Sequence, residues 1–168
     1  MEEERVKISK KWLQQLSKGN GSPIDGLTSD SLKVVQAQKG LIRCRLVVSE
    51  RQADGDGNWH VGAMATLVDN IAGATVHSFA GQIRPTLNFN MSYYSSAKIH
   101  EEVEIEAKIV AEKGKLAAVM VEIKKTDNGD LIASAKQWTA SNNNAGRESK
   151  LWTALNFTNN KKNPKPKL

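Results

Sequence analysis

The sequence predicts an α+β fold in which an antiparallel sheet of about six strands wraps around one long central helix. Residues 62–79 are almost wholly apolar over a helical length, and helices that are apolar all round are normally buried. Residues 102–109 alternate charged and apolar side chains, which is typical of an antiparallel strand with one wet face. Small residues in the apolar stretch let surrounding backbone approach closely. They are Gly62, Ala63, Ala65, Ala72, Gly73 and Ala74.

The elements before the central helix follow from local patterns. Residues 4–18 carry apolar side chains at roughly helical spacing and end before a Gly-Asn pair, which predicts an amino-terminal helix. Residues 31–38 and 41–49 are predicted to pair as two strands across a Lys-Gly turn.

Four strands are predicted after the central helix. Residues 86–93 alternate polar and apolar side chains, as residues 102–109 alternate charged and apolar ones. Residues 116–125 and 131–139 are joined through an Asn-Gly pair, a strong hairpin signal because both positions tolerate positive φ. Residues 112–115 have the composition of another tight turn.

The composition predicts a single domain over residues 1–158, with its core at about 30–140. With 39% hydrophobic residues, the chain has enough apolar side chains for a core without disulfides. The one cysteine, Cys44, is expected on the apolar side of a strand as a small core residue, which fits a reducing compartment. Residues 159–168, rich in Asn, Lys and Pro, are predicted to form a disordered basic tail.

Charge and hydropathy argue against two classes of partner. Residues 145–168 hold six Lys or Arg and one Glu, a net +5 of the total charge of +6, so the folded body is nearly neutral. No groove, zinc-ligand or recognition-helix pattern accompanies this charge, and no nucleic-acid partner is expected. Polar residues interrupt 62–79 too often for a membrane span. The acidic amino terminus has neither secretory nor transit character.

One carboxylate, Asp69, interrupts the apolar stretch. Asp is rarely buried without a partner, because removing its charge from water costs on the order of several kcal/mol. We interpret Asp69 as a functional residue, with a cap or an ion pair in an interface as the alternative.

Two segments resemble a known family. Residues 60–70 resemble the His-Gly-Gly…Thr-Leu-Val-Asp segment of hotdog-fold acyl-CoA thioesterases, and residues 85–93 resemble the strand that follows the central helix in the phenylacetate-pathway and medium-to-long-chain branch. The resemblance extends over about residues 30–140. It implies the hotdog fold, in which two subunits join their sheets into a homodimer and dimers commonly pair into tetramers.

The resemblance also implies roles along the central helix. Backbone N–H groups at a helix start favour negative charge that develops on a thioester oxygen, so Val61 and Gly62 are candidate donors. His60 helps to shape that pocket, and Asp69 serves as base or nucleophile across the dimer interface. Thr86 stands where the family has a hydroxyl residue that assists the water or the carboxylate.

Two positions depart from the family pattern. Val61 replaces the first glycine of His-Gly-Gly, which keeps the backbone donor but adds a β-branched side chain beside the carbonyl site. Asp54, six residues before His60, stands where the nearest relatives often have Asn, and it adds a negative charge that makes it a further candidate of the site.

The activity implied is hydrolysis of an acyl-CoA to free acid and CoA, without a metal or redox cofactor. Four basic residues are candidate contacts for the CoA phosphates: Arg84, Lys98, Lys113 and Lys115. A non-catalytic acyl-CoA or acyl-chain binding protein is the alternative that the two departures favour. A hotdog enoyl-CoA hydratase is a weaker one, because its Asp-x-Asn-x-x-His arrangement is not found.

The carboxyl terminus Pro166-Lys167-Leu168 is similar to the Ser-Lys-Leu class of peroxisomal addresses, and the residues before it are basic. We predict peroxisomal import, with the cytoplasm as the alternative. A fluorescent fusion with a free carboxyl end should give punctate peroxisomal signal in cells, and the same fusion without the last three residues should be diffuse. Diffuse signal from both fusions would contradict the prediction.

Overall fold

A computed structural model describes residues 1–141, so the predicted tail and the carboxyl-terminal tripeptide lie outside the described part of the chain. The elements in chain order are α1 (Glu2–Ser17), α2 (Pro23–Thr28), β1 (Lys33–Gln38), β2 (Leu41–Val47), a 3-10 turn (Glu50–Gln52), α3 (Val61–Ala80), β3 (Thr86–Tyr93), β4 (Glu102–Lys113), β5 (Leu116–Lys125) and β6 (Leu131–Ala140).

The six strands form one antiparallel sheet in the order β1-β2-β4-β5-β6-β3. The central helix α3 packs against β2, β4, β5 and β6. The predicted α+β class, with a sheet around a long apolar helix and an additional amino-terminal helix, is therefore confirmed.

The two faces of β4 show why alternation predicts this sheet. Val103, Ile105 and Ala107 are fully buried toward the helix, whereas the glutamates between them lie on the outer face. Glu104 and Glu106 there pair with arginines of β2, as in the Arg45 Nε–Glu104 Oε2 ion pair at 3.2 Å. The outer face of β2 and β4 is thus charged, and the inner face supplies the core.

Two short elements were not predicted. Helix α2 has only six residues and begins at a proline, with the Ser22 hydroxyl accepting from the Asp25 N–H at 3.2 Å. The 3-10 turn that precedes α3 is shorter still. Neither is long enough for a hydrophobic period to be visible in the sequence.

Strand boundaries also differ slightly from the predictions. The first strand begins at Lys33 rather than residue 31, because Ser31 has a φ of +66° and its hydroxyl donates to the Val47 carbonyl. In the last hairpin only Gly129 of the Asn-Gly pair has positive φ, in a loop longer than a two-residue turn.

Helix α1 packs against α3 and β1. Trp12, at 3% exposure, lies over Gly73, and the Ser9 hydroxyl is 2.9 Å from His77 Nδ1. Burial lowers the pKa of His77, because the charged imidazolium would lose its hydration. Within residues 1–141 no helix is long and apolar enough to cross a membrane.

Gly73, inside α3, and Gly81, which caps its carboxyl end, should respond oppositely to alanine. A Cβ at Gly73 would meet Trp12 at 3.5 Å, an ordinary contact, so Gly73→Ala should raise the free energy of unfolding by about 0.5–1 kcal/mol. Gly81 caps the helix with a φ of +74°, and a Cβ there would lie 2.7 Å from Arg5 Nε. Gly81→Ala should therefore lower the free energy of unfolding by about 1–2 kcal/mol.

Urea unfolding followed by tryptophan fluorescence measures both variants against the parent protein. A loss of stability in Gly73→Ala would contradict the described packing of α1 on α3.

Candidate active site

The helix start is built by His60, the residue that caps α3. Its backbone is extended, and its ring nitrogen Nδ1 accepts a hydrogen bond from the Gly62 N–H at 3.0 Å. The His60 N–H donates to the Gln52 carbonyl at 2.8 Å, which anchors the cap to the 3-10 turn. In the neutral ring Nδ1 is the acceptor, so the proton is on Nε2.

The next two residues play different parts in the first turn of α3. A Cβ at Gly62 would lie 3.1 Å from His60 Cε1 and 3.2 Å from Nδ1, so a larger residue would require the ring to move by a few tenths of an ångström. Val61 is 53% exposed, and among residues 1–141 its N–H has no hydrogen-bond acceptor. The Tyr93 hydroxyl donates to the Val61 carbonyl at 3.4 Å and ties the end of β3 to this turn.

Asp69 is partly buried and lies beside two side chains of the sheet. Its Oδ1 accepts from the Thr86 hydroxyl at 3.1 Å and from Gln137 Nε2 at 3.0 Å. Gln137 Nε2 is also 2.8 Å from Thr86 Oγ1. The structure therefore brings together the predicted Asp69 and Thr86, and it adds Gln137.

A β-bulge aims Thr86 at this cluster. The pairing of β3 with β6 shifts between Thr86 and Asn88, so that Thr86 is opposite Thr139 and Leu87 has no partner. Leu87 is 60% exposed, and Thr86, although also exposed, lies on the face of β3 that regular alternation would give to Leu87, where its hydroxyl contacts Asp69 and Gln137.

Gln137 was missed by the sequence analysis although a signal was present. It occupies an inward position of β6, level with Ala133 and Ala135 in the alternation, and it is 1% exposed. A polar side chain at an inward position of a predicted strand marks a buried hydrogen-bond partner.

The start of α3 and Asp69 are separated along the same helix. Val61 and Asp69 are eight residues apart, which corresponds to about 12 Å along an α-helix. A small reacting group that contacts the Val61 N–H is therefore out of reach of Asp69 of the same chain.

Asp54 lies outside both groups and organises its own loop. Its Oδ1 accepts from the N–H groups of Asp56 and Asn58, each at 2.9 Å. The hydrogen bond from the Asn58 N–H is the main cause that lowers the pKa of Asp54, because it favours the ionised carboxylate.

The four candidate basic residues fall into two places. Arg84 is partly buried and donates from Nη1 to the Lys115 carbonyl at 3.4 Å, so it lies against the β4–β5 turn where Lys113 and Lys115 are exposed. Lys98 precedes the start of β4 and bridges to Asn58. The two places are at opposite ends of this long strand.

Comparisons of sequence with known proteins point to one family. The model of the thioesterase superfamily matches residues 56–132. Acyl-coenzyme A thioesterase 13 of Homo sapiens is 31% identical over 106 residues, which cover 62% of this chain and 76% of that protein.

Solved structures agree with the sequence comparison. Thioesterase superfamily member 2 of zebra fish matches with a TM-score of 0.73 at 25% identity, covering 80% of this chain and 96% of its own. A hypothetical thioesterase protein of Streptococcus pneumoniae, crystallised with coenzyme A, matches with a TM-score of 0.63 over 67% of this chain and 90% of its own. At 21% identity this second likeness shows the fold alone. The expected hotdog fold is confirmed.

Gly62→Ala should displace the His60 ring. The added Cβ would press on the ring at 3.1 Å, so the hydrogen bond from the residue 62 N–H to Nδ1 should be weakened and the free energy of unfolding should fall by up to about 1 kcal/mol. The ¹⁵N shifts of the imidazole report the bond directly.

Thr66→Ala is the matched control, because the Thr66 hydroxyl bonds the Gly62 carbonyl at 3.0 Å without touching the ring. An unchanged Nδ1 signal in Gly62→Ala would contradict the described cap.

Proposed function

The chain belongs to the thioesterase superfamily, and from this membership we propose that it hydrolyses acyl-CoA thioesters to a free acid and CoA. The observation that supports the proposal most is the Asp69 carboxylate, held by Thr86 and Gln137 on an otherwise apolar helix. The human relative is an acyl-coenzyme A thioesterase by name, and this chain is 31% identical to it over 106 residues.

The first requirement of thioester hydrolysis is a polarised carbonyl. The positive end of α3 and its unpaired N–H groups favour the negative charge that develops on the thioester oxygen. The Gly62 N–H already donates to His60, so the Val61 N–H is the donor that we assign to the substrate oxygen. His60 then holds the first turn in shape.

The second requirement is an activated water or a nucleophile. We assign this role to Asp69, as general base or as attacking carboxylate, with Thr86 donating to it. Asp54 is assigned to the shape of the loop before His60, because its Oδ1 is occupied by two loop amides.

Binding of the CoA phosphates requires basic side chains in addition to the residues assigned to hydrolysis. Arg84, Lys113 and Lys115 lie together at the β4–β5 turn and form the stronger candidate set. Lys98, at the other end of β4, is the separate candidate.

A complete site needs two subunits under this proposal, because the Val61 N–H and Asp69 are about 12 Å apart along one helix. Strand β3 is an edge of the sheet, and Leu87 and Tyr93 are exposed on it. We propose that two copies pair along β3 and that dimers assemble further into tetramers.

A non-catalytic acyl-CoA or acyl-chain binding protein is the second candidate. It is favoured by Val61, whose branched side chain is exposed at the helix start beside the proposed carbonyl site. Release of free CoA thiol, measured over a series of acyl chain lengths, separates the two functions. Binding of acyl-CoA without release would support the second.

Asp69→Asn should lower turnover by roughly 10²-fold or more, because the amide keeps size but cannot accept a proton or attack. Binding of acyl-CoA should survive. Asp127→Asn, on the exposed β5–β6 loop, is the matched control and should keep full activity. Near-normal hydrolysis by folded Asp69→Asn would show that Asp69 is not the catalytic acid.

Hybrid dimers test whether the two groups come from different subunits. Val61→Pro removes the proposed donor at a helix position that tolerates proline, so each of Val61→Pro and Asp69→Asn should be inactive alone. An equimolar mixture after subunit exchange should recover about a quarter of wild-type activity, since half of the dimers then carry one intact site. No recovery, with exchange verified by native mass spectrometry, would contradict the shared site.

A further inference from the structure

Gln137 is a polar side chain in apolar surroundings. It lies on the inner face of β6, opposite Val119 of β5 and Phe89 of β3, and it is 1% exposed. Strand pairing uses only its backbone, so the register of the sheet does not require an amide at this position.

The orientation of the amide is fixed by its neighbours. Nε2 donates to Asp69 Oδ1 at 3.0 Å and to Thr86 Oγ1 at 2.8 Å, which uses both of its hydrogens. The reverse orientation would place the amide oxygen against the carboxylate, where it has nothing to donate.

The other end of the amide carries a cost. Gln137 Oε1 is buried, and no donor from residues 1–141 reaches it. A buried acceptor without a donor is unfavourable, whereas an apolar side chain of the same size would pay no such penalty. Any stabilisation that the amide supplies therefore comes from its Nε2 end, through the bonds to Asp69 and Thr86.

The bonds of Asp69 are divided unequally between its two oxygens. Oδ1 receives both donors, Thr86 and Gln137, whereas Oδ2 makes no hydrogen bond to any residue in the described range 1–141. The Thr86 hydroxyl proton is committed to Oδ1, and its oxygen accepts from Gln137.

We propose that Gln137 is a positioning residue for Asp69, a role that rests on the proposed thioester hydrolysis. Together with Thr86 it holds Oδ1, so that Oδ2 is the oxygen presented to the substrate. In the general-base route Oδ2 takes a proton from water as the water oxygen bonds to the carbonyl carbon. The C–S bond then breaks, and the proton passes to the departing CoA sulfur.

The test replaces the amide with an apolar side chain of similar size. Gln137→Met removes both donors, so kcat should fall about 10- to 100-fold while KM stays within about twofold. The thermal midpoint should change little, because removal of the unpaired buried acceptor offsets the loss of the two Nε2 hydrogen bonds. Lys136→Met is the matched control, since it places the same side chain one residue away on the exposed outer face of β6.

Gln137→Glu gives a second readout, the pH dependence of activity, which would not change if Gln137 only filled space in the core. Its carboxylate would face Asp69, so activity near neutral pH should fall below that of Gln137→Met. Activity should partly recover in acid, where a protonated Glu regains one donor. A loss that is the same at every pH would contradict the role.

The outcomes separate this role from the function on which it rests. Wild-type protein that binds acyl-CoA but releases no thiol would overturn the proposed hydrolysis. Active wild-type protein with an unchanged kcat in Gln137→Met, or with a kcat loss that only follows a fall in thermal midpoint, would overturn the positioning role alone. A selective fall in kcat with intact stability supports it.

Discussion

The Asp69 carboxylate is partly buried on an otherwise apolar helix, and its hydrogen bonds to donors of the sheet are the interaction around which the candidate site is arranged. The helix that carries it packs against the sheet, α1 and α2. The donors therefore come from the sheet, from residues that are 17 and 68 positions away in the chain. The cluster exists only once α3, β3 and β6 are in register.

Periodicity in the sequence accounts for most of the fold. Helical spacing predicts α1, apolar character over a helical length predicts α3, and alternation and turn signals predict the six strands. The observed bounds are close to these predictions, except that β4 runs to Lys113 rather than to residue 109. Helix α2 could not be predicted in this way, because six residues are too few to show a period. The start of β1 depends on the positive φ of Ser31, a residue type that rarely adopts it.

The candidate site was only partly predictable. Asp69 stands out in the sequence as one acid in an apolar helix, and Thr86 was found through the resemblance of its strand to a family. The bulge at Leu87, which turns Thr86 inward, leaves no mark in the alternation. The inward position of Gln137 is visible in the alternation of β6, but its partner Asp69, 68 residues earlier in the chain, is not.

The first turn of α3 places opposite constraints on adjacent residues. Position 62 is restricted by space, because a Cβ there would press on the His60 ring at 3.1 Å. Position 61 contributes only backbone groups, its N–H and the carbonyl that accepts the Tyr93 hydroxyl, and its side chain is exposed. Any residue except proline supplies a backbone N–H at position 61, so the proposed donor is retained when the side chain at this position changes. A motif search that demands glycine at position 61 would therefore overlook chains that keep the same electrostatic arrangement.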